Sequence, residues 1–174
     1  FYKFLSSFNF FLSKNKISVL KIRKRKLSFH ARYSAKKRRY EYIILNRIAK
    51  PSIEDKRSWQ VKKNLDFNKM NKAIKYFVGT HNFSAFRSSS CNAKSPIRKI
   101  DLASIKKIGD KLIIKFESKS FLQKQVRSMV GCLKYVGENK WKPFMIKRLI
   151  KSRNRGKCAP PAPAEGLFLK KVFY

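Results

Sequence analysis

A chain of 174 residues is long enough for one compact domain with a real core. Its 44 Lys and Arg against 9 Asp and Glu give a formal net charge of +35, which favours a polyanionic partner, nucleic acid first. Three scattered cysteines (Cys91, Cys132, Cys158) and two isolated histidines (His30, His81) give no zinc spacing and no disulfide framework, and no apolar run reaches membrane-spanning length.

Residues 3–12 read as a short helix, and Ile17–Ile22 as a strand that runs into the basic stretch Lys21–Lys26. Phe8–Leu12 is interrupted by Asn9 and is too short for a signal-peptide core. The stretch Phe29–Leu45, FHARYSAKKRRYEYIIL, starts as a basic loop and becomes a strand over 38–46. Lys36, Lys37, Arg38 and Arg39 lead into Tyr40, Tyr42 and Ile44, which share one face at period 2. Cations beside a presented aromatic suit phosphate binding and base stacking, although a solvated lead-in to a core strand has the same pattern. Residues 47–66 read as polar and irregular, with Pro51 and Trp59.

Asp66 is placed to cap a helix over 67–78, whose Met70, Ala73, Ile74, Phe77 and Val78 form one apolar face, with Gly79 at its C-terminus. Residues 80–96 read as a polar loop pinned by Phe83 and Phe86. A hairpin follows, Ile97–Lys107 with Lys111–Ser118, turned at Gly109–Asp110, with Leu112, Ile114 and Phe116 on one face. Ser120 and Gln123 have the spacing of a capping box. The helix they open carries Leu122, Val126, Met129, Val130 and Leu133 on its buried stripe and ends at Gly137. Pro143 starts a shorter helix to Lys151, the loop APPAPAEG follows, and Leu167–Tyr174 is a final strand.

From Arg38 the order is strand, helix, strand, strand, helix, strand, with one extra short helix. This is the ferredoxin-like βαββαβ order. It predicts an α+β fold with an antiparallel sheet and helices on one face.

Three segments belong together: FHARYSAKKRRYEY at 29–42, GTHNFSAFRSSSCNAKSPIRKI at 79–100, and SFLQKQVRSMVG at 120–131 with RNRGKCAPPAPAEGLFL at 153–169 behind it. In this order they resemble the tRNA pseudouridine synthase family of the TruA type, from about Phe29 to Tyr174. The resemblance implies a pseudouridine synthase-like fold, with 29–174 as the C-terminal domain and 1–28 as a remnant of the N-terminal half. It implies isomerisation of uridine to pseudouridine in the anticodon stem-loop of tRNA, in the cytoplasm, with no cofactor, no metal and no membrane. The partners implied are tRNA and, for a full-length chain, a second copy in a homodimer.

The reaction breaks the bond between uracil N1 and the ribose, turns the base and rejoins it through C5, so the base must first be flipped out of its stack. In the family an Asp within R-T-D-x-G-V-H is the nucleophile, an Arg pairs with it, and a Tyr stacks on the target base. Tyr40 matches that Tyr, and Arg127 of V-R-x-M-V-G matches that Arg. Arg127 sits among apolar helix positions, where a cation needs a partner, and the alternative is an arginine whose head reaches water. His30, Arg32, Lys36, Lys37 and Arg38 fall where the family contacts the RNA backbone, and Arg87, Lys94 and Arg98 extend that surface. Gln123 and Lys124 stand where family members often carry a polar or His pair.

No R-T-D-x-G-V-H occurs in the 174 residues, and Asp55, Asp66, Asp101 and Asp110 lie in other contexts. The first residue is Phe1, so the expectation is a fragment whose catalytic Asp lies upstream. Such a chain binds tRNA and makes no pseudouridine by itself. The alternative reading is a non-catalytic basic RNA-binding module, a degenerate paralogue or a ribosome-associated protein.

Overall fold

The structure, a computed structural model, describes residues 1–53 and 55–174. It has two units, Phe1–Ser34 and Ala35–Tyr174. The first holds one helix, α1 (Tyr2–Phe11), as the apolar run predicts. The predicted strand at Ile17–Ile22 does not form. The side chain of Asn9 instead receives the Val19 N–H at 2.8 Å and donates to the Val19 carbonyl at 2.9 Å. One amide thus satisfies both backbone groups that a ladder would otherwise hold.

The second unit contains β1 (Lys37–Leu45), β2 (Trp59–Gln60), α2 (Phe67–Ile74), β3 (Gly79–Asn82), β4 (Ile97–Ile108), β5 (Lys111–Ser118), α3 (Gln125–Gly137), α4 (Met145–Ser152) and β6 (Leu167–Phe173). β1 lies between β5 and β6, antiparallel to both, and β4 forms the hairpin with β5. The run β6-β1-β5-β4 is therefore the ferredoxin-like order read from the sequence, and β3 extends it beyond β4. The two-residue β2 pairs in parallel with Ile44 and Leu45, beyond the part of β1 that β6 covers, so the sheet is mixed.

Alternation along the strands sends Tyr42 and Ile44 of β1 and Leu112, Ile114 and Phe116 of β5 into one core. Met70, Ala73 and Ile74 of α2, Val126, Met129, Val130 and Leu133 of α3, and Ile146, Leu149 and Ile150 of α4 fill it from the other side. Asp66 caps α2 as expected, accepting the Lys69 N–H at 2.9 Å.

The structure corrects the sequence reading in several places. The helix predicted over 67–78 ends at Ile74 and tightens into a 3-10 turn, Lys75–Phe77. Gly79 does not cap it. With φ at +106°, Gly79 turns the chain into β3, inside the stretch read as loop. That strand is short, polar and at the sheet edge, so it lacks the apolar alternation that marks a strand. Phe83 and Phe86 do pin the remainder of the loop, both fully buried and packed edge to face.

The capping box at Ser120 and Gln123 is absent. The Ser118 hydroxyl donates to the Ser120 carbonyl at 2.8 Å, and α3 begins only at Gln125, after Lys124 in the left-handed region. Gln125 makes the back-bond instead, its Oε1 accepting the Leu122 N–H at 2.7 Å. α4 likewise starts at Met145, two residues later than Pro143 predicts, and runs to Ser152.

Candidate active site

The site forms where α3 meets the proline-rich loop and the helix-facing side of β1. Gly131 explains the close approach. A Cβ at this helical position would lie 2.0 Å from the Pro160 carbonyl oxygen, so only glycine lets the loop rest on the helix. One turn earlier, Arg127 faces the same loop. Its carbonyl accepts the Ala162 N–H at 3.0 Å, and its Nε donates to the Ala162 carbonyl at 2.6 Å. Backbone and side chain of one residue thus fix the loop at one point. Arg127 is half-buried and, among the described residues, forms no ion pair. The Nη donors are its remaining capacity.

Tyr42, fully buried on β1, donates its hydroxyl to the Pro163 carbonyl at 2.7 Å. Burial pushes this phenol above the ordinary tyrosine range, and the Glu165 charge adds to that, while the Arg127 guanidinium pulls the other way. Gly166 sits against the Tyr42 ring, where a Cβ would come within 2.7 Å. Tyr42 and Arg127 therefore hold successive carbonyls of one loop.

Tyr40, two residues before Tyr42, lies on the same face of β1 and is half-buried. Its ring meets Phe121 edge to face at 5.2 Å. Phe121 belongs to the turn that Gln125 ties down through Leu122. The pairing of β1 with β6 shifts register between Arg39 and Tyr40, where the ladder is locally broken.

The other predicted residues fall into separate groups. His30 and Arg32 belong to the first unit, where the His30 ring accepts backbone N–H groups from Arg32 and Tyr33. Arg38 shares the Tyr40 face and donates to the Lys119 carbonyl. Lys37 does not share that face; it points to the opposite side of the sheet and pairs with Glu117 at 3.3 Å. Lys36 is exposed just before β1. Arg87 and Arg98 both act on the Cys91 thiol. That thiol is held below its ordinary range chiefly by the backbone N–H groups of Ala93 and Gln123, with these two charges assisting. Arg98 also donates to the Ser95 and Ile97 carbonyls, and Lys94 is exposed in the same loop. Gln123 receives the Ser90 hydroxyl at 3.3 Å, and Lys124 carries the strained φ of 61° before α3.

Residues 73–174 match the family model described as tRNA pseudouridine synthase. The chain is 56% identical over 172 residues to the tRNA pseudouridine synthase A of Pelagibacter ubique, covering 99% of this chain and 70% of that one. It is 40% identical over 169 residues to the Caulobacter vibrioides protein of that name, covering 97% and 68%. With the Rhodospirillum centenum protein it shares 40% over 172 residues, covering 99% and 70%. The chain belongs to the tRNA pseudouridine synthase family. Within this pseudouridine synthase chain the family match takes in Arg127, Gly131 and the whole proline-rich loop, while Tyr40 lies before it. The near full-length alignments with the relatives include Tyr40 as well.

Gly131, Ala162 and the Tyr42–Pro163 bond were not singled out from the sequence. The signal for the first is a glycine inside a helix, four residues after a charged residue on an apolar stripe. The loop's role has no such signal, because two of its contributions are backbone carbonyls.

Proposed function

We propose that this chain is the tRNA-binding and site-forming part of a tRNA pseudouridine synthase, which isomerises uridine to pseudouridine in the anticodon stem-loop. The observation that carries this reading is Arg127. It is anchored through Nε to a loop carbonyl, half-buried, and without a carboxylate partner among the described residues. A guanidinium placed so is costly unless it serves an anion. Its free fork suits one bidentate carboxylate. In this reading that carboxylate is the nucleophilic Asp of R-T-D-x-G-V-H, supplied by sequence outside these 174 residues.

Tyr40, half-buried and steadied by Phe121, is the platform on which a flipped uracil stacks. Arg127 orients the Asp that attacks the ribose or base. The held loop 159–166 keeps the guanidinium still while N1–C1′ breaks and C5–C1′ forms. Arg38, Lys36, Arg87, Lys94 and Arg98, with His30 and Arg32 of the first unit, contact the RNA backbone. Residues 1–28 then belong to the N-terminal half of the fold, and the full-length protein works as a homodimer.

The first experiment is to read the coding DNA upstream of Phe1. An in-frame Arg-Thr-Asp-x-Gly-Val-His supports the proposal. The extended protein must then form pseudouridine in the anticodon arm, and the present chain must bind tRNA without turnover. An upstream region lacking the motif, with turnover absent from the natural product, would leave a basic RNA-binding module instead.

A further inference from the structure

A second cationic site lies away from Tyr40 and Arg127, between α4, the turn after α2 and β3. A cavity of about 280 Å³ is lined by Lys75, Tyr76, Val78, His81, Lys147, Ile150 and Lys151. Its walls are apolar at Val78, Ile150 and Tyr76, and its rim is cationic. No carboxylate among the described residues lines it. Among the described residues, Lys75, Lys147 and Lys151 form no ion pair.

Elsewhere in this unit several lysines meet an acid. Lys37 meets Glu117, Lys134 and Lys140 meet Glu138, and Lys115 and Lys170 meet Glu41. The contrast is sharpest on the helices. Lys134 is spaced four residues from Glu138, whereas Lys147 is spaced four residues from another cation, Lys151. Like charges at that spacing weaken a helix slightly, with no return inside the fold.

The cavity is built by three separate elements. Gly79, with φ at +106°, swings the chain from the 3-10 turn into β3 and so brings His81 back over Val78, to whose carbonyl Nε2 donates at 2.9 Å. The ring is thereby fixed with Nδ1 as its remaining nitrogen. Lys147 and Lys151 come from one face of α4 and Lys75 from the turn. His81 is the cross-strand partner of Arg98, so the cavity borders the strand that carries Arg98. β3 lies three strands from β1 in the sheet, roughly 14 Å at the usual strand spacing. A base held at Tyr40 could not reach it, but the phosphate backbone of the same RNA could.

We infer that this cavity is a remote docking site for the sugar-phosphate backbone of the tRNA, taking one or two phosphodiesters between Lys75, Lys147 and Lys151 with a ribose against Tyr76. The inference rests on the tRNA reading above.

The test is the salt dependence of tRNA binding by the 174-residue chain. Every phosphate that a lysine no longer neutralises should lower the slope of log K against log salt by about 0.7 to 0.9. The triple variant K75Q/K147Q/K151Q is compared with K72Q/K106Q/K107Q, which removes the same charge from exposed positions on α2 and β4. The expected result is a slope reduced by about 1 to 2 in the first variant and by well under 1 in the second. All six lysines are exposed, and unchanged thermal unfolding confirms intact folds. Equal slopes in the two variants, with normal tRNA binding by the parent, would overturn the docking site and leave the tRNA reading standing. A parent chain that binds tRNA no better than an unstructured RNA would overturn both. Inorganic phosphate that shifts the lysine Nζ resonances of this cavity, with equal slopes in the two variants, would mark a small-phosphate site and overturn the RNA assignment.

Discussion

Arg39 and Arg127 show two ways of holding a guanidinium against one sheet. Arg39, on the side of β1 away from the helices, meets a carboxylate: Nε and Nη2 both reach Glu117 Oε1 at 2.7 Å, and Lys37 adds a second cation at 3.3 Å. Arg127, on the helix side, meets a neutral carbonyl. The first arrangement is closed, with its charge spent inside the fold. The second keeps its charge and part of its donor set for something else. The two guanidiniums thus differ in their acceptor and not in residue type.

The largest effect should come from breaking the Arg127 side. Gly131→Ala places a methyl 2.0 Å from the Pro160 oxygen, and backbone must move. A loss of about 3 kcal/mol is expected in denaturant unfolding, at the upper end for overpacking. Loop 159–163 should become more exposed to hydrogen exchange. Unchanged stability would show that the helix does not need a glycine there and that Arg127 is not held as described.

Glu117→Gln attacks the closed side. It leaves Arg39 and Lys37 facing a neutral amide. Both cations are about a third exposed, so water offsets part of the loss, and about 1–2 kcal/mol is expected. The pH dependence carries a sign. Burial raises the Glu117 pKa, but hydrogen bonds and charge from Arg39 and Lys37 outweigh it and leave the carboxyl below its ordinary range. Its stabilisation is therefore present above the unfolded value, about 4.3, and is lost as pH falls through the lower folded value. Acid titration of unfolding free energy should be shallower in Glu117→Gln than in the parent. Identical acid limbs would show that the pair contributes nothing.

Tyr42→Phe touches the loop from the sheet side. It removes the hydroxyl that Pro163 accepts and leaves a half-buried carbonyl without its donor. A loss of about 1 kcal/mol is expected, measured by thermal unfolding. Gly131→Ala and Tyr42→Phe act on one loop, so the double variant should fall short of additivity. Simple additivity would mean that the two contacts hold independent segments.

Much of this architecture was legible in the sequence because apolar alternation is a local signal. The β4–β5 hairpin, α2 with its Asp66 cap, and the βαββαβ order followed from period and turn chemistry alone. What failed was decided by backbone. β3 exists because Gly79 redirects the chain onto β4, and the start of α3 is set by the Ser118 hydroxyl and the left-handed Lys124 rather than by Ser120 and Gln123. The same division runs through the site. Tyr40 and Arg127 could be named from motif and resemblance. Their supports, Ala162 and Pro163, could not, because a carbonyl oxygen is the same in every residue. Lys37 was placed beside Tyr40 by proximity in sequence, yet a strand alternates faces, and the odd position went to Glu117.

The smallest effect sharpens the comparison most, because it keeps the charge. Arg39→Lys retains a cation beside Glu117 while removing the planar fork. Lys37 already supplies an ammonium there, and Arg39 is about a third exposed, so the loss should be no more than about 0.5 kcal/mol. The same change at Arg127 should behave differently. An ammonium cannot both donate to the Ala162 carbonyl and present a fork to a carboxylate. Arg127→Lys should therefore abolish turnover in a protein carrying the catalytic Asp, while tRNA binding and its salt slope stay near the parent. If Arg39→Lys proved the more damaging of the two, in stability and in turnover, the closed pair would be the functional one, and the assignment of Arg127 would fall.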